Sequence, residues 1–259
     1  RIGARDVIVR NCYIEACGAL WGGKHVDTGV GNLTWGSQGA VYIVQGASLT
    51  ITNCEINGLE GVHAGIWNDG TQLVALGNII YNANDGIYHW EGNAECSNNY
   101  RIQDNYIHTL SRKTSNGHVD GWQAGGGSGA LTNGLFRHNN VRMAQSNSGA
   151  YANYGPGRYI QADYNLFTGA GYTIYTFSQG ANPQTSTWFI DNVFDDLNGV
   201  SPKVGIYGIW FNQQPQDLWH RVSSKPSNYY PIVDIDPYNF PLDTPSFRYG
   251  NIVRSTGEN

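Results

Sequence analysis

The sequence predicts an all-β chain wound as a single right-handed parallel β-helix of about seven coils. Two observations predict it. A short signature returns seven times, built of two alternating apolar positions, a polar pair, then Asn or Cys, then an apolar residue two places on. The residues before each Asn alternate with period two, so every unit carries strands and not the 3.6-residue pattern of a helical repeat.

In chain order the signature reads VIVRNCYI (7–14), LTITNCEI (49–56), LVALGNII (73–80), YRIQDNYI (100–107), GLFRHNNV (134–141), IQADYNLF (160–167) and TWFIDNVF (187–194). Its key position runs Cys12, Cys54, Asn78, Asn105, Asn139, Asn165, Asn192, at spacings of 42, 24, 27, 34, 26 and 27 residues. Stacked coils explain the uneven spacing, because loops between coils can lengthen while the strands stay in parallel ladders. The repeated Asn is expected in a tight turn, where Asn tolerates left-handed backbone and hydrogen-bonds its copies above and below. Val7, Val9, Leu49, Ile51, Leu73, Ala75, Ile102, Phe136, Ala162 and Phe189 are the expected inward residues of the strand before that turn. The β-helix is assigned to residues 1–212. Residues 213–259 hold six of the nine Pro and no signature, and read as an irregular tail that packs on the stack or caps its end.

Composition narrows the partners. Only 14% of residues are charged, while there are 34 Gly, 17 Tyr and 8 Trp, which suits a secreted protein meeting neutral or sugar-like surfaces. A net charge of −5 gives no basic footprint for nucleic acid. No run of 18 apolar residues exists to insert in a membrane. The chain opens directly on a strand-like segment, with no leader, and reads as a mature form or a fragment. Four Cys (Cys12, Cys17, Cys54, Cys96) permit two disulfides, with no CxxC pair for zinc or redox chemistry. Cys12 and Cys54 fall in adjacent coils, close enough for a bond or for a ladder of buried thiols. Asn32-Leu33-Thr34 matches a glycosylation triplet.

A second segment occurs once per coil: QGAVY (38–42), AGIWN (64–68), DGIYH (85–89), DGWQA (120–124), SGAYA (148–152), the looser GYTIY (171–175), and YGIW (207–210). With Gly opening each strand, the outward row is Val41, Trp67, Tyr88, Gln123, Tyr151, then Tyr175 and Trp210. An exposed aromatic ladder is a platform for pyranose rings; covered by a loop, the same rings are ordinary core. Asp85 and Asp120 stand immediately before the Gly of neighbouring coils, one strand spacing apart. Two carboxylates that close do not both ionise easily, and one holding its proton gives the acid that glycoside hydrolysis needs beside a base or nucleophile. Asp-Gly is equally a turn signal. His118, two residues before Asp120, supplies a proton donor to the same cluster. His89, Glu91 and Asp69 flank the same groove.

The repeat resembles the pectin-lyase-like superfamily of parallel β-helices over roughly residues 5–212. That group includes polysaccharide lyases and epimerases, polygalacturonase-like glycosidases and phage tailspikes. NANDGI (82–87) resembles the NTDG segment of the glycosidases, which implies a catalytic role for Asp85. Their Gly-His-Gly triplet and Arg-Ile-Lys segment are absent.

Three functions follow. The first is a secreted glycosidase, with Asp85 and Asp120 as acid and base or nucleophile, His118 tuning one of them, and Trp67, Tyr88, Gln123 and Tyr151 holding the polysaccharide. The second is a lyase or epimerase on a uronic acid polymer, drawing on Lys113, Arg112, Arg158, His118 and Tyr151. No cofactor is implied by the first; in the second, calcium is the ion Asp85 and Asp120 would hold. The third is a non-catalytic adhesin, tailspike-like stalk or filament subunit, in which copies associate.

Overall fold

The computed structural model describes residues 1–16, 39–59, 62–89, 99–110, 119–124, 131–143, 149–153, 157–170, 172–177, 185–195, 208–212, 246–248 and 252–254. Within them the chain repeats a three-strand coil. The first coil is β1 (Val7–Arg10), β2 (Tyr13–Glu15) and β3 (Gly39–Ile43). The second is β4 (Ser48–Thr52), β5 (Glu55–Asn57) and β6 (Ala64–Asn68), and the third β7 (Gln72–Leu76), β8 (Ile79–Tyr81) and β9 (Asp85–His89). The fourth comprises β10 (Arg101–Gln103), β11 (Tyr106–His108) and β12 (Trp122–Ala124). The fifth comprises β13 (Leu131–Arg137), β14 (Asn140–Arg142) and β15 (Gly149–Asn153). The sixth comprises β16 (Gly157–Asp163), β17 (Leu166–Thr168) and β18 (Tyr172–Phe177), and the seventh β19 (Thr185–Ile190), β20 (Val193–Asp195) and β21 (Gly208–Asn212).

Every third strand pairs in parallel with the equivalent strand of the next coil, giving three long sheets around one interior, a parallel β-helix. Two more strands, β22 (Ser246–Arg248) and β23 (Ile252–Arg254), pair with β19 and β20. The described part of the Pro-rich tail is therefore not irregular: it adds the beginning of an eighth coil. The described residues contain no helix long and apolar enough to cross a membrane.

The interior is as the period-two pattern predicts. Leu49, Ile51, Leu73, Ala75, Ile102, Phe136, Ala162 and Phe189 from the first sheet are buried, with Ile56, Ile80, Ile107, Val141 and Phe167 from the second. Val7 and Val9, on the first coil, pack half-buried against the same cluster. Each fully buried Leu, Ile, Val or Phe among them contributes about 1.5–3 kcal/mol.

The Asn column stands between the first and second sheets. Asn78, Asn105, Asn139 and Asn165 each donate their main-chain N–H and their side-chain amide to Oδ1 of the next Asn up the stack, at 2.8–3.1 Å. The second amide hydrogen of each goes to a main-chain carbonyl, as from Asn105 to Ala75 at 2.9 Å. Every polar atom of a fully buried amide is thereby satisfied. Cys54 donates its N–H to Asn78 Oδ1, and its sulfur accepts the N–H of Cys12 at 3.4 Å, so the two cysteines continue the column as free thiols. Cys17 and Cys96 lie outside the described residues.

The turn differs from expectation by one residue. The left-handed positions are Asn11, Asn53, Gly77, Asp104, His138, Tyr164 and Asp191, each immediately before the column residue, with φ between 51° and 65°. The column residue itself is not left-handed, and from Cys54 to Asn192 it is buried, with its polar groups turned to its neighbours in the column.

Candidate functional site

The third sheet carries the cluster. Its register aligns Val41, Ile66, Ile87, Trp122, Tyr151 and Ile174 on one row and Tyr42, Trp67, Tyr88, Gln123, Ala152 and Tyr175 on the next. The first row is interior. Val41 and Tyr151 therefore do not belong to the outward row where the sequence pattern places them. Gly39 pairs with Ala64, and Gly149 with Tyr172, so these glycines align with Asp85 and Asp120 and not with the Gly that follows each Asp. A one-residue slip of this kind moves every side chain of a strand to the opposite face. Tyr151 is wholly buried, 4.4 Å from the Trp122 ring centroid and edge-on to Phe136 and Phe189, and so cannot hold substrate.

His89 is interior for the same reason of parity. Its ring lies 5.0 Å from Tyr100 and 5.8 Å from Trp122, and burial pushes its imidazole down to about 3. It lines no groove. Glu91, Lys113, Arg112 and His118 lie outside the described residues, as does the side chain of Arg158.

Trp67 and Tyr88 do share the outer row, with ring centroids 4.4 Å apart. They are not an open platform: each is only 5% exposed. Asp69 anchors the neighbouring rings, accepting from Tyr42 Oη at 2.8 Å and Trp67 Nε1 at 2.6 Å. Burial raises the Asp69 carboxyl above its ordinary range, against those two donors.

Asp85 and Asp120 are brought together. Asp85 opens β9 and Asp120 lies two residues before β12, and both are fully buried. Asp85 Oδ1 accepts the N–H of Asp120 at 2.8 Å, and Asp120 Oδ1 accepts the N–H of Gly149, one coil further, at 2.6 Å. Asn84 Nδ2 adds a donor to Asp85 Oδ1 at 3.2 Å. Half of each carboxylate thus closes the corner of the stack, which is the structural use of an Asp-Gly turn. The Gly after each Asp is required by space: a Cβ on Gly86 would meet the Gly121 carbonyl and stand 2.5 Å from Ile107 Cγ2.

The remaining oxygens point elsewhere. With the Gln123 amide turned so that its nitrogen faces the two carboxyl groups, it donates to Asp120 Oδ2 at 2.8 Å and to Asp85 Oδ2 at 3.2 Å. Asp85 Oδ2 also meets His63 Nε2 at 3.0 Å, and the Asp85 N–H donates back to the His63 carbonyl at 2.6 Å. The His63 ring stands edge-on to Trp67 and Tyr88 at 5.1 and 5.3 Å. Its side chain is 29% exposed against 0% for Asp85, so the imidazole is the member that reaches solvent. Among the described residues no group of three His, Cys, Asp or Glu is arranged around a metal position.

Sequence reasoning missed His63. The signal was the match of HAGIW to NDGIY, which sets Ala64 against Asp85 and puts His63 at the mouth of that strand. No known family model matches the chain, and neither curated proteins nor solved structures give a match.

Proposed function

We propose that the chain is a carbohydrate-active enzyme that works on a polysaccharide at the mouth of the third sheet, with His63 as its acid–base group. The observation that carries the reading is the 3.0 Å contact between the partly exposed His63 Nε2 and the buried Asp85 carboxylate. A neutral imidazole giving its Nε2–H to Asp85 is fixed in one tautomer, with Nδ1 left as the base, and the carboxylate stabilises the imidazolium once a proton arrives. The fold and the Asn column support the resemblance to the pectin-lyase-like superfamily, whose enzymes act on such polymers. The reading carries secretion with it, since long polysaccharides are met outside the cell.

The substrate meets the site at His63 and Gln123, its partly exposed members, and not on the buried faces of Trp67 and Tyr88. Hydrolysis by two carboxylates flanking the bond needs both within reach of the sugar. Here both are buried and the Gln123 amide fills the space between them. That observation favours a second reading, elimination from a uronic acid polymer, in which one base removes the proton beside the sugar carboxylate.

A panel of neutral and uronic polysaccharides, scored for new reducing ends and for absorbance of unsaturated products, separates the two. Turnover on a member of the panel is expected, and His63→Gln should lower it by about 100-fold or more with the circular dichroism of the wild type. Full turnover in that variant overturns the assignment of His63. A protein inert across the panel overturns the enzymatic reading and leaves the non-catalytic stalk or adhesin.

A further inference from the structure

We infer that the outer face of the second sheet, from the first coil to the fifth, is a docking surface for a second copy of this chain. The face consists of two rows in strict register. One runs Tyr13, Glu55, Ile79, Tyr106, Asn140 and the other Glu15, Asn57, Tyr81, His108, Arg142. Tyr13 and Ile79 are exposed, Ile79 at 41%, and Leu59, just past the end of β5, is a third bare apolar side chain. Rings fill the middle, where His108 stacks on Tyr106 and on Tyr81 with centroids 4.3 and 5.4 Å away. A strip of this kind left open to water marks an interaction surface.

The charges say what fits it. The acids lie in the first two coils and are fixed by their neighbours: Glu15 accepts from Tyr13 Oη at 2.5 Å, and Glu55 from Tyr81 Oη at 2.6 Å. The cation lies in the fifth coil, where the exposed Arg142 forms no ion pair among the described residues. Burial, and after it the Arg142 charge, pushes the His108 imidazole below its ordinary range, which leaves Arg142 as the permanent cation of the face. Within one chain Glu15 and Arg142 are four strand spacings apart, about 19 Å, and do not meet. A two-fold axis along the direction of β8 joins them across two chains. It sets the first coil against the fifth, the second against the fourth and the third against itself. Glu15 then faces Arg142 of the second copy, Glu55 faces the Tyr106 hydroxyl, and Ile79 faces its own equivalent. A two-fold axis along the stack would set each coil against its equal and join no opposite charges. The contact is isologous, so every charged pair occurs twice. Five coils of three-residue strands cover about 24 by 10 Å, small beside the roughly 800 Å² per partner of a stable complex. The dimer is therefore weak and reversible.

The test is sedimentation velocity of the full chain from about 10 μM to 1 mM, which should show a monomer–dimer equilibrium that weakens in about 1 M salt. Glu15→Arg and Arg142→Glu should each raise the dimerisation midpoint about tenfold or more, and the chain carrying both should return to within about threefold of the wild type. Ile79→Arg, which charges the centre of the contact, should hold the protein monomeric. All three side chains are exposed, and circular dichroism checks the fold; a variant that fails to fold leaves the others to decide. A wild type that is monomeric at 1 mM overturns the inference, as do single charge changes without effect or a doubly reversed chain that does not recover. If the protein stays monomeric and Arg142→Glu instead weakens its retention on a uronic polysaccharide, the face belongs to a glycan and the inference falls. The readout needs no turnover, so it stands or fails separately from the reading of His63.

Discussion

His89 shows how much one side chain's placement decides. Buried between Tyr100 and Trp122, it is held neutral, with its imidazole lowered from 6.5 to about 3 by burial. In the unfolded chain the same ring takes a proton near pH 6.5. The depressed folded value means that its contribution is fully present above pH 6.5 and is lost progressively as pH falls from there towards 3. Over that window each pH unit costs up to about 1.4 kcal/mol for one proton. Unfolding free energies from urea titrations across pH 3–8 should show this limb in the wild type. In His89→Phe the limb should be shallower by about one proton; identical slopes would show that His89 is accessible to protons in the folded state. The sequence could not show that the ring faces inward. DGIYH reads as an outward aromatic row once Tyr88 is placed, and only the parity of the following residue, beyond the last clear apolar position, sends His89 to the core.

At the scale of the strand, legibility depended on how strongly each face is specified. The first sheet was readable to the residue because Leu, Ile, Phe and Ala alternate with polar positions, and all the buried residues expected there between Leu49 and Phe189 are buried. The third sheet is buried on both faces, as the all-buried patterns of β6, β9 and β15 show, so alternation vanishes and Gly was left as the only marker of register. Gly39 and Gly149 then misled by one residue, while Gly65, Gly86 and Gly121 did not. The latter three form a column in which interior side chains of the second sheet, Ile80, Ile107 and Val141, press on bare backbone. Gly86→Ala should destabilise the protein by about 1–3 kcal/mol, read as a lower urea midpoint with an unchanged slope. An unaffected midpoint would mean that the corner can open without cost. The pairing of Asp85 with Asp120 came through intact, because both matched segments begin Asp-Gly. His63 did not, because its coil has Ala in place of Asp.

For the whole molecule, stability is shared between neighbours: each coil touches only the ones above and below, and end coils have one neighbour. Among the described residues β1 pairs only with β4, and Ile8 and Tyr13 of the first coil are 69% and 57% exposed. Amide hydrogen exchange should therefore be graded along the stack. The N–H groups of Asn105 and Asn139 are expected to exchange only with global unfolding, and those of Val7–Arg10 about 100-fold faster or more. Uniform protection from the first coil to the sixth would refute this neighbour-by-neighbour account. The asparagine column has one further consequence. From Asn78 to Asn165 each side-chain amide donates one hydrogen to Oδ1 of the next Asn of the column, so these bonds all run the same way along the stack and each polarises the next. The molecule thus carries an internal electrical direction, and at its amino-terminal end the column passes to the Cys54 sulfur, which accepts the Cys12 N–H and is the poorest acceptor in the series.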